Sequence, residues 1–171
     1  MIIFGDSYVA AADRGRPGFA RLAPVFLGWR GAHMGRGGTG FVKSSPGRLP
    51  YSDRLPDLLA STADVLIVQA TGNDATCDLP SVRAEASAFL TAATRKFPRV
   101  IVLGPMWAKD GVENLPELRD LTRDVCAEVG VQFIDALGWL SGRWIGVDGA
   151  HPTRLGHALI AIRLVGSIRR S

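Results

Sequence analysis

Asp64-Val65-Leu66-Ile67-Val68-Gln69-Ala70, running on into Thr71-Gly72-Asn73-Asp74, decides how this chain is read. Its apolar residues follow one another without alternation, the pattern of a parallel strand covered on both faces. A glycine turn comes directly after, so the strand ends where open α/β sheets build their sites, outside the strand C-termini. Working outward, Met1–Phe4 and Arg99–Leu103 repeat the pattern, closed by Gly5 and by Gly104-Pro105. Weaker strands are expected at Trp29–Ala32 and Val131–Ile134. Between them lie segments of helical spacing. The first runs from Pro17 to Leu27, with Phe19, Leu22, Ala23 and Phe26 on one face. Others run from Leu79 to about Lys96, from Leu115 to Val129, where Pro116 sits harmlessly in the first turn, and from Thr153 to about Ile168. Five strands alternating with helices in 171 residues predict an α/β protein, a three-layer α/β/α sandwich on a five-stranded parallel sheet, with residues 1–171 as a single domain. Gly35 to Arg54, with glycines at 35, 37, 38, 40 and 47, reads as a long loop, and such loops are usually functional.

Composition removes several classes of function. The net charge of +4 comes from scattered arginines, without a dense basic run or interleaved aromatics, so no nucleic-acid partner is expected. No apolar stretch is long enough to span a membrane. Met1–Phe4 is too short for a signal-peptide core, which leaves a cytoplasmic setting as the default expectation. Cys77 and Cys126 read as two free thiols. Three histidines, His33, His151 and His157, offer no metal spacing, so neither metal nor cofactor is expected.

Three short segments carry chemistry: Gly5-Asp6-Ser7, Gly72-Asn73-Asp74 and Asp148-Gly149-Ala150-His151. A serine hydroxyl is a poor nucleophile without a base beside it and a place for developing negative charge. Ser7, after the Gly5 turn, could present its hydroxyl and its own N–H together. His151 is the best base of the three histidines, and Asp148, three residues earlier, could hold its Nδ1–H and leave Nε2 toward Ser7. Asn73 supplies an amide donor at a strand end, suited to a tetrahedral oxyanion. Each piece also has an ordinary reading: a helix-capping serine, a turn asparagine, an Asp/His pair that caps the last helix. Asp6 is a poor base for Ser7, because neighbours in an extended chain point apart. The run Gly35-Arg36-Gly37-Gly38-Thr39-Gly40 could add a backbone N–H. It lacks the Gly-Lys-Ser/Thr ending of a phosphate loop.

The order Gly-Asp-Ser, glycine loop, Gly-x-Asn-Asp, then Asp-x-x-His before a C-terminal helix resembles the SGNH hydrolase superfamily, the GDSL-type esterases and lipases, over nearly the whole chain. The resemblance implies a flavodoxin-like sandwich and a serine esterase acting on short-chain carboxylic esters without a cofactor. It assigns Ser7 as nucleophile, His151 as base and Asp148 as orienting acid. The oxyanion hole it implies comprises Ser7, Asn73 and a loop glycine, either Gly37 or Gly38. Tyr8 stands where many members carry leucine and is expected at the substrate rim. Trp107, after a strand end, is a candidate site-lining residue, and Trp139 and Trp144 flank the approach to Asp148. Exposed tryptophans would suit a sugar ring and make O-acetyl groups on carbohydrate an attractive substrate; packing in the core is the equal alternative. Two further readings stand beside the esterase: an O-acyltransferase using the same triad, and a catalytically silent binding module of the same fold.

Overall fold

The computed structural model describes residues 1–11, 17–106 and 114–170. Five parallel strands form one sheet in the order β2-β1-β3-β4-β5. They are β1 (Ile2–Gly5), β2 (Ala32–Gly35), β3 (Val65–Thr71), β4 (Arg99–Met106) and β5 (Gln132–Ile134). The helices are α1 (Ser7–Ala10), α2 (Phe19–Leu27), α3 (Tyr51–Leu59), α4 (Leu79–Lys96), α5 (Leu115–Val129) and α6 (Arg154–Arg169). This is the doubly wound, flavodoxin-like order, whose switch point lies between β1 and β3.

Alternation along the strands sorts the core into two layers. Ile2, Phe4, Leu66, Val68, Ala70, Val100 and Val102 face α3, α4 and α5. Ile3, Ile67, Ile101 and Leu103 face α1, α2 and α6. Both faces are dry, which is why β3 and β4 carry unbroken apolar runs. On the first face an aromatic cluster ties the site's scaffold together. Phe4 meets Tyr51 at 4.9 Å and Phe89 at 5.4 Å, and Phe41 meets Tyr51 at 5.2 Å and Phe89 at 5.7 Å between ring centroids. Such pairs add about 0.5–1.5 kcal/mol each beyond burial. They clamp the glycine loop, through Phe41, to β1, α3 and α4.

Helices α4 and α5 match the expected bounds; β1, β3 and α6 lie one residue later, β5 starts one residue later and α2 two. Three elements differ more. The second strand is Ala32–Gly35 rather than Trp29–Ala32: Gly28 ends α2 in a left-handed conformation (φ 71°), and pairing with β1 begins only at Ile2 opposite Ala32. Strand β4 does not stop at Leu103 but continues through Gly104-Pro105 to Met106. The register shifts between Gln69 and Thr71 at that point, and such an irregularity accommodates a proline without an N–H. Helix α3 takes the end of the expected loop, and its buried stripe is only Tyr51, Arg54 and Leu58. A stripe with an arginine in it, interrupted by Pro56, does not look helical in sequence.

Candidate active site

Strand β1 ends at Gly5, and Asp6 caps the single turn α1, its carboxylate accepting from the Tyr8 N–H at 2.8 Å. Ser7 is therefore the first residue of α1, at the carboxyl edge of the sheet. His151 comes to it from the loop between Trp144 and α6. A short antiparallel bridge closes that loop: Gly146 N–H donates to the His151 carbonyl (2.7 Å), and Thr153 N–H donates to the Trp144 carbonyl (2.9 Å). Thr153 then caps α6 by accepting from the Gly156 N–H. Within this frame His151 Nε2 lies 3.1 Å from Ser7 Oγ, and Nδ1 lies 2.8 Å from Asp148 Oδ2.

An ionised carboxylate only accepts, so Nδ1–H is the donor to Asp148, and Nε2 is the ring nitrogen that faces the Ser7 hydroxyl. Asp148 is held ionised. The backbone N–H groups of His151 and Ala150 donate to its Oδ1 at 3.0 Å each, and with the imidazole they depress its pKa well below the usual carboxylate range. The side chains of His151 and Asp148 are 48% and 53% exposed, so the pair is open to water. A cavity of about 280 Å³ adjoins Ser7 and His151, walled by Ala11, Pro17, Pro152, Arg154 and His157.

On the other side of Ser7 a polar network ties the β3 end to the glycine loop. Asp6 Oδ2 accepts from the Thr71 hydroxyl and from Asn73 Nδ2 (3.2 Å). Asn73 Nδ2 also lies 3.1 Å from the Thr39 carbonyl and 2.9 Å from Thr71 Oγ1. Burial raises the Asp6 pKa against the lowering effect of the Thr71 hydroxyl and the Tyr8 N–H, and its carboxylate oxygens are engaged by this network and by the α1 cap. Asp74, fully buried, accepts from the N–H groups of Phe41 (2.7 Å), Val42 (3.2 Å) and Lys43 (2.9 Å), and so pins the loop. A Cβ on Gly40 would come within 2.3 Å of that carboxylate, so only glycine fits there.

The two loop glycines separate clearly. A Cβ on Gly37 would lie 3.4 Å from Ser7 Cβ, whereas Gly38, at φ 73°, packs under Ser45 and its carbonyl accepts from the Ser45 hydroxyl. The Thr39 hydroxyl donates at 2.8 Å to the Arg36 carbonyl, the far end of the peptide whose N–H belongs to Gly37. Buried Arg54 donates to Thr39 Oγ1 (3.4 Å), to the Gly5 carbonyl (3.3 Å) and to the Met34 carbonyl (2.8 Å), with its guanidinium 4.2 Å above the Phe4 ring.

Tyr8 requires a correction. It is not at the substrate rim but buried at 1% exposure, and its hydroxyl donates to the Ala150 carbonyl at 2.6 Å, anchoring the Asp148–His151 loop to α1. A tyrosine can replace leucine there because its phenol finds a partner. Trp139 and Trp144 are half-buried against the second core layer, with Arg143 stacked on Trp144, so neither forms an open aromatic platform. Trp107 lies outside the described residues. His157 packs rather than acts: it is stacked on Phe19, its Nδ1 accepts from the Phe19 N–H, and burial, helped by the nearby His151, drops its pKa to about 4. His33 lies on β2, away from the Ser7 cavity, and both cysteines are free. Sequence reasoning missed Thr39, Thr71, Arg54 and the anchoring role of Asp74. Of these only Asp74, adjacent to Asn73 in the turn, carried a signal.

The comparisons fit this geometry. A comparison with curated proteins finds no significant match. Among solved structures, an inhibitor-bound aryl esterase of M. smegmatis is 19% identical, with a TM-score of 0.80 over 99% of this chain and 97% of its own. Axe2, an acetylxylan esterase from Geobacillus stearothermophilus, is 16% identical, with a TM-score of 0.77 over 98% and 92%. LAE5, an α/β hydrolase enzyme from the metagenome of Lake Arreo, Spain, is 20% identical at 0.74 over 96% and 92%. At these identities the likeness is one of fold. The model of the GDSL-like lipase/acylhydrolase family matches residues 3–159, from β1 into α6. The chain belongs to that family and is a carboxylic ester hydrolase.

Proposed function

We propose that the protein is a serine esterase that removes short acyl groups, with O-acetyl groups on carbohydrate as the favoured substrate class. The observation that carries this reading is the relay from Ser7 Oγ to His151 Nε2 (3.1 Å) and from His151 Nδ1 to Asp148 (2.8 Å). Ser7 attacks the ester carbonyl while His151 takes its proton, and the imidazolium formed is stabilised by Asp148. The oxyanion is received by the Ser7 N–H, the Gly37 N–H and one N–H of the Asn73 amide, which turns from its resting acceptors as charge develops. Gly37 is preferred to Gly38 because it lies against Ser7. The chain Arg54, Thr39, Arg36 carbonyl also polarises its peptide and makes its N–H a better donor. As the intermediate collapses, His151 delivers the proton to the leaving alcohol. Water, activated by the same imidazole, then releases the acid.

The half-exposed His151 and Asp148 support water, rather than a sugar hydroxyl, as the second nucleophile. A cavity of about 280 Å³ supports a short acyl group. The sugar reading rests on that open site and on the likeness to an acetylxylan esterase, since Trp139 and Trp144 do not speak for it. A panel of p-nitrophenyl acetate, butyrate and octanoate beside acetylated xylo-oligosaccharides tests it. Acetate and the acetylated sugars should be turned over best; preference for octanoate with inert sugars would overturn it.

A further inference from the structure

A second cavity, of about 340 Å³, opens on the far side of the glycine loop and is lined by His33, Arg36, Arg48, Arg54 and Asp57 among others. Its cations outnumber its acids. Among the described residues none of the three arginines has a carboxylate partner within ion-pair distance. Arg36 makes no side-chain hydrogen bond there, and Arg48 spends one donor, on the Gly37 carbonyl at 2.7 Å. Burial, and the charge of Arg36 beside it, push the Arg54 guanidinium below its ordinary value, although Asp57 acts the other way. Three guanidinium groups gathered around one cavity repel one another, and an anion is what such a cluster lacks.

The place of this cavity gives it meaning. The Cβ position of Gly37 is 3.0 Å from Arg48 Nη1 and 3.4 Å from Ser7 Cβ. The basic cavity and the nucleophile are thus separated by the thickness of one glycine. The cavity that holds His151 is walled by a different set of residues, with none in common with the basic one. An ester seated over Ser7 therefore has open space beside His151 and, past Gly37, the Arg48 guanidinium at the mouth of the basic cavity.

We propose that this arginine-lined cavity receives a carboxylate carried by the ester substrate, so that the enzyme favours anionic esters over neutral ones of the same shape. The kinetic consequence rests on the esterase reading; binding does not. The matched probes are 4-acetoxybenzoate and its neutral counterpart 4-acetoxybenzamide. In the Ser7→Ala protein, calorimetry should show the carboxylate bound about tenfold more tightly than the amide, the worth of one charge-assisted hydrogen bond. Arg36→Gln in that background, at an exposed residue whose side chain makes no hydrogen bond or ion pair among the described residues, should remove the difference, and 0.5 M sodium chloride should narrow it. In the active enzyme the ratio of kcat/KM values for the two esters should fall about tenfold on Arg36→Gln, which cancels their unequal leaving groups. Equal binding of the two probes, or a preference that survives Arg36→Gln, overturns the proposal. Charge-selective binding without turnover of either ester would instead defeat the esterase reading and leave the anion site standing.

Discussion

Asp148→Asn is the sharpest perturbation of the proposed triad, because the structure dictates which way the new amide must face. Both backbone donors, the N–H groups of Ala150 and His151, point at Oδ1 from 3.0 Å. An N–H2 group placed there would meet two donors, so the asparagine carbonyl oxygen takes that position. The N–H2 then occupies the Oδ2 site, 2.8 Å from His151 Nδ1. A donor at that point makes Nδ1 the acceptor and moves the ring proton to Nε2, opposite Ser7 Oγ, where it blocks proton abstraction. The same inversion in buried serine triads costs about 10⁴-fold in kcat. This pair is half exposed, water competes for Nδ1, and the expected loss is about 10³-fold. Asp148→Ala leaves water beside Nδ1 and permits either tautomer, so it should be at least ~10-fold more active than the isosteric Asn variant. Steady-state hydrolysis of p-nitrophenyl acetate at pH 8 measures this, with melting curves as the control. The asparagine keeps both backbone bonds, so its Tm should stay within about 2 °C of wild type. An Asn variant as active as Ala, with both proteins folded, would refute the tautomer argument.

Other expectations follow from the same geometry. Asn73→Ala should lower kcat by about 10²- to 10³-fold with little change in KM, the signature of a donor used only in the transition state; a loss confined to KM would contradict it. Tyr8→Phe removes the hydroxyl that holds the Ala150 carbonyl. It should cost about 1 kcal/mol, seen as a Tm lower by roughly 2–4 °C, and about tenfold in kcat as His151 loses its seat; wild-type kcat would show that the anchor is dispensable. His157, held near pKa 4 in the fold against an ordinary 6.5, binds its proton more readily when unfolded. Its contribution is therefore complete above pH 6.5 and declines as pH falls toward 4, by about 3 kcal/mol at the lower end. His157→Asn should flatten the fall of Tm between pH 7 and pH 4.5; an unchanged slope would exclude this source. Asp148, already ionised far below that window, adds no step to the acid limb of kcat/KM, which should follow one proton. A limb of slope two would contradict this.

What could be read from sequence, and what could not, divides along physical lines. Strands β3 and β4 announced themselves because burial on both faces demands unbroken apolar runs. Ser7, Asn73, Asp148 and His151 stood out because each lies in a glycine-marked turn at the end of an element. Edge strand β2 was misplaced since its residues, Ala-His-Met-Gly, are half exposed and carry no period. Helix α3 was hidden by Pro56 and by a buried arginine that does the work of an apolar residue, stacked on Phe4. Tyr8 was placed at the rim because it stands where the resembling family carries leucine, and nothing near it in sequence offers its hydroxyl a partner. Its distant partner, the Ala150 carbonyl, exists only once α1 and the last loop meet. The same holds for Thr71, Thr39 and Arg54, whose roles are contacts across the sheet edge and leave no local pattern.

The central claim, that Ser7 is the nucleophile activated by His151, is tested most directly by a fluorophosphonate reagent and intact-protein mass spectrometry. Wild type should acquire one adduct, mapped to Ser7, with parallel loss of p-nitrophenyl acetate hydrolysis. Ser7→Ala should acquire none, and His151→Ala should label more slowly by at least ~10²-fold. A wild-type protein that hydrolyses the ester yet resists labelling, or an adduct that persists in Ser7→Ala, would contradict the account.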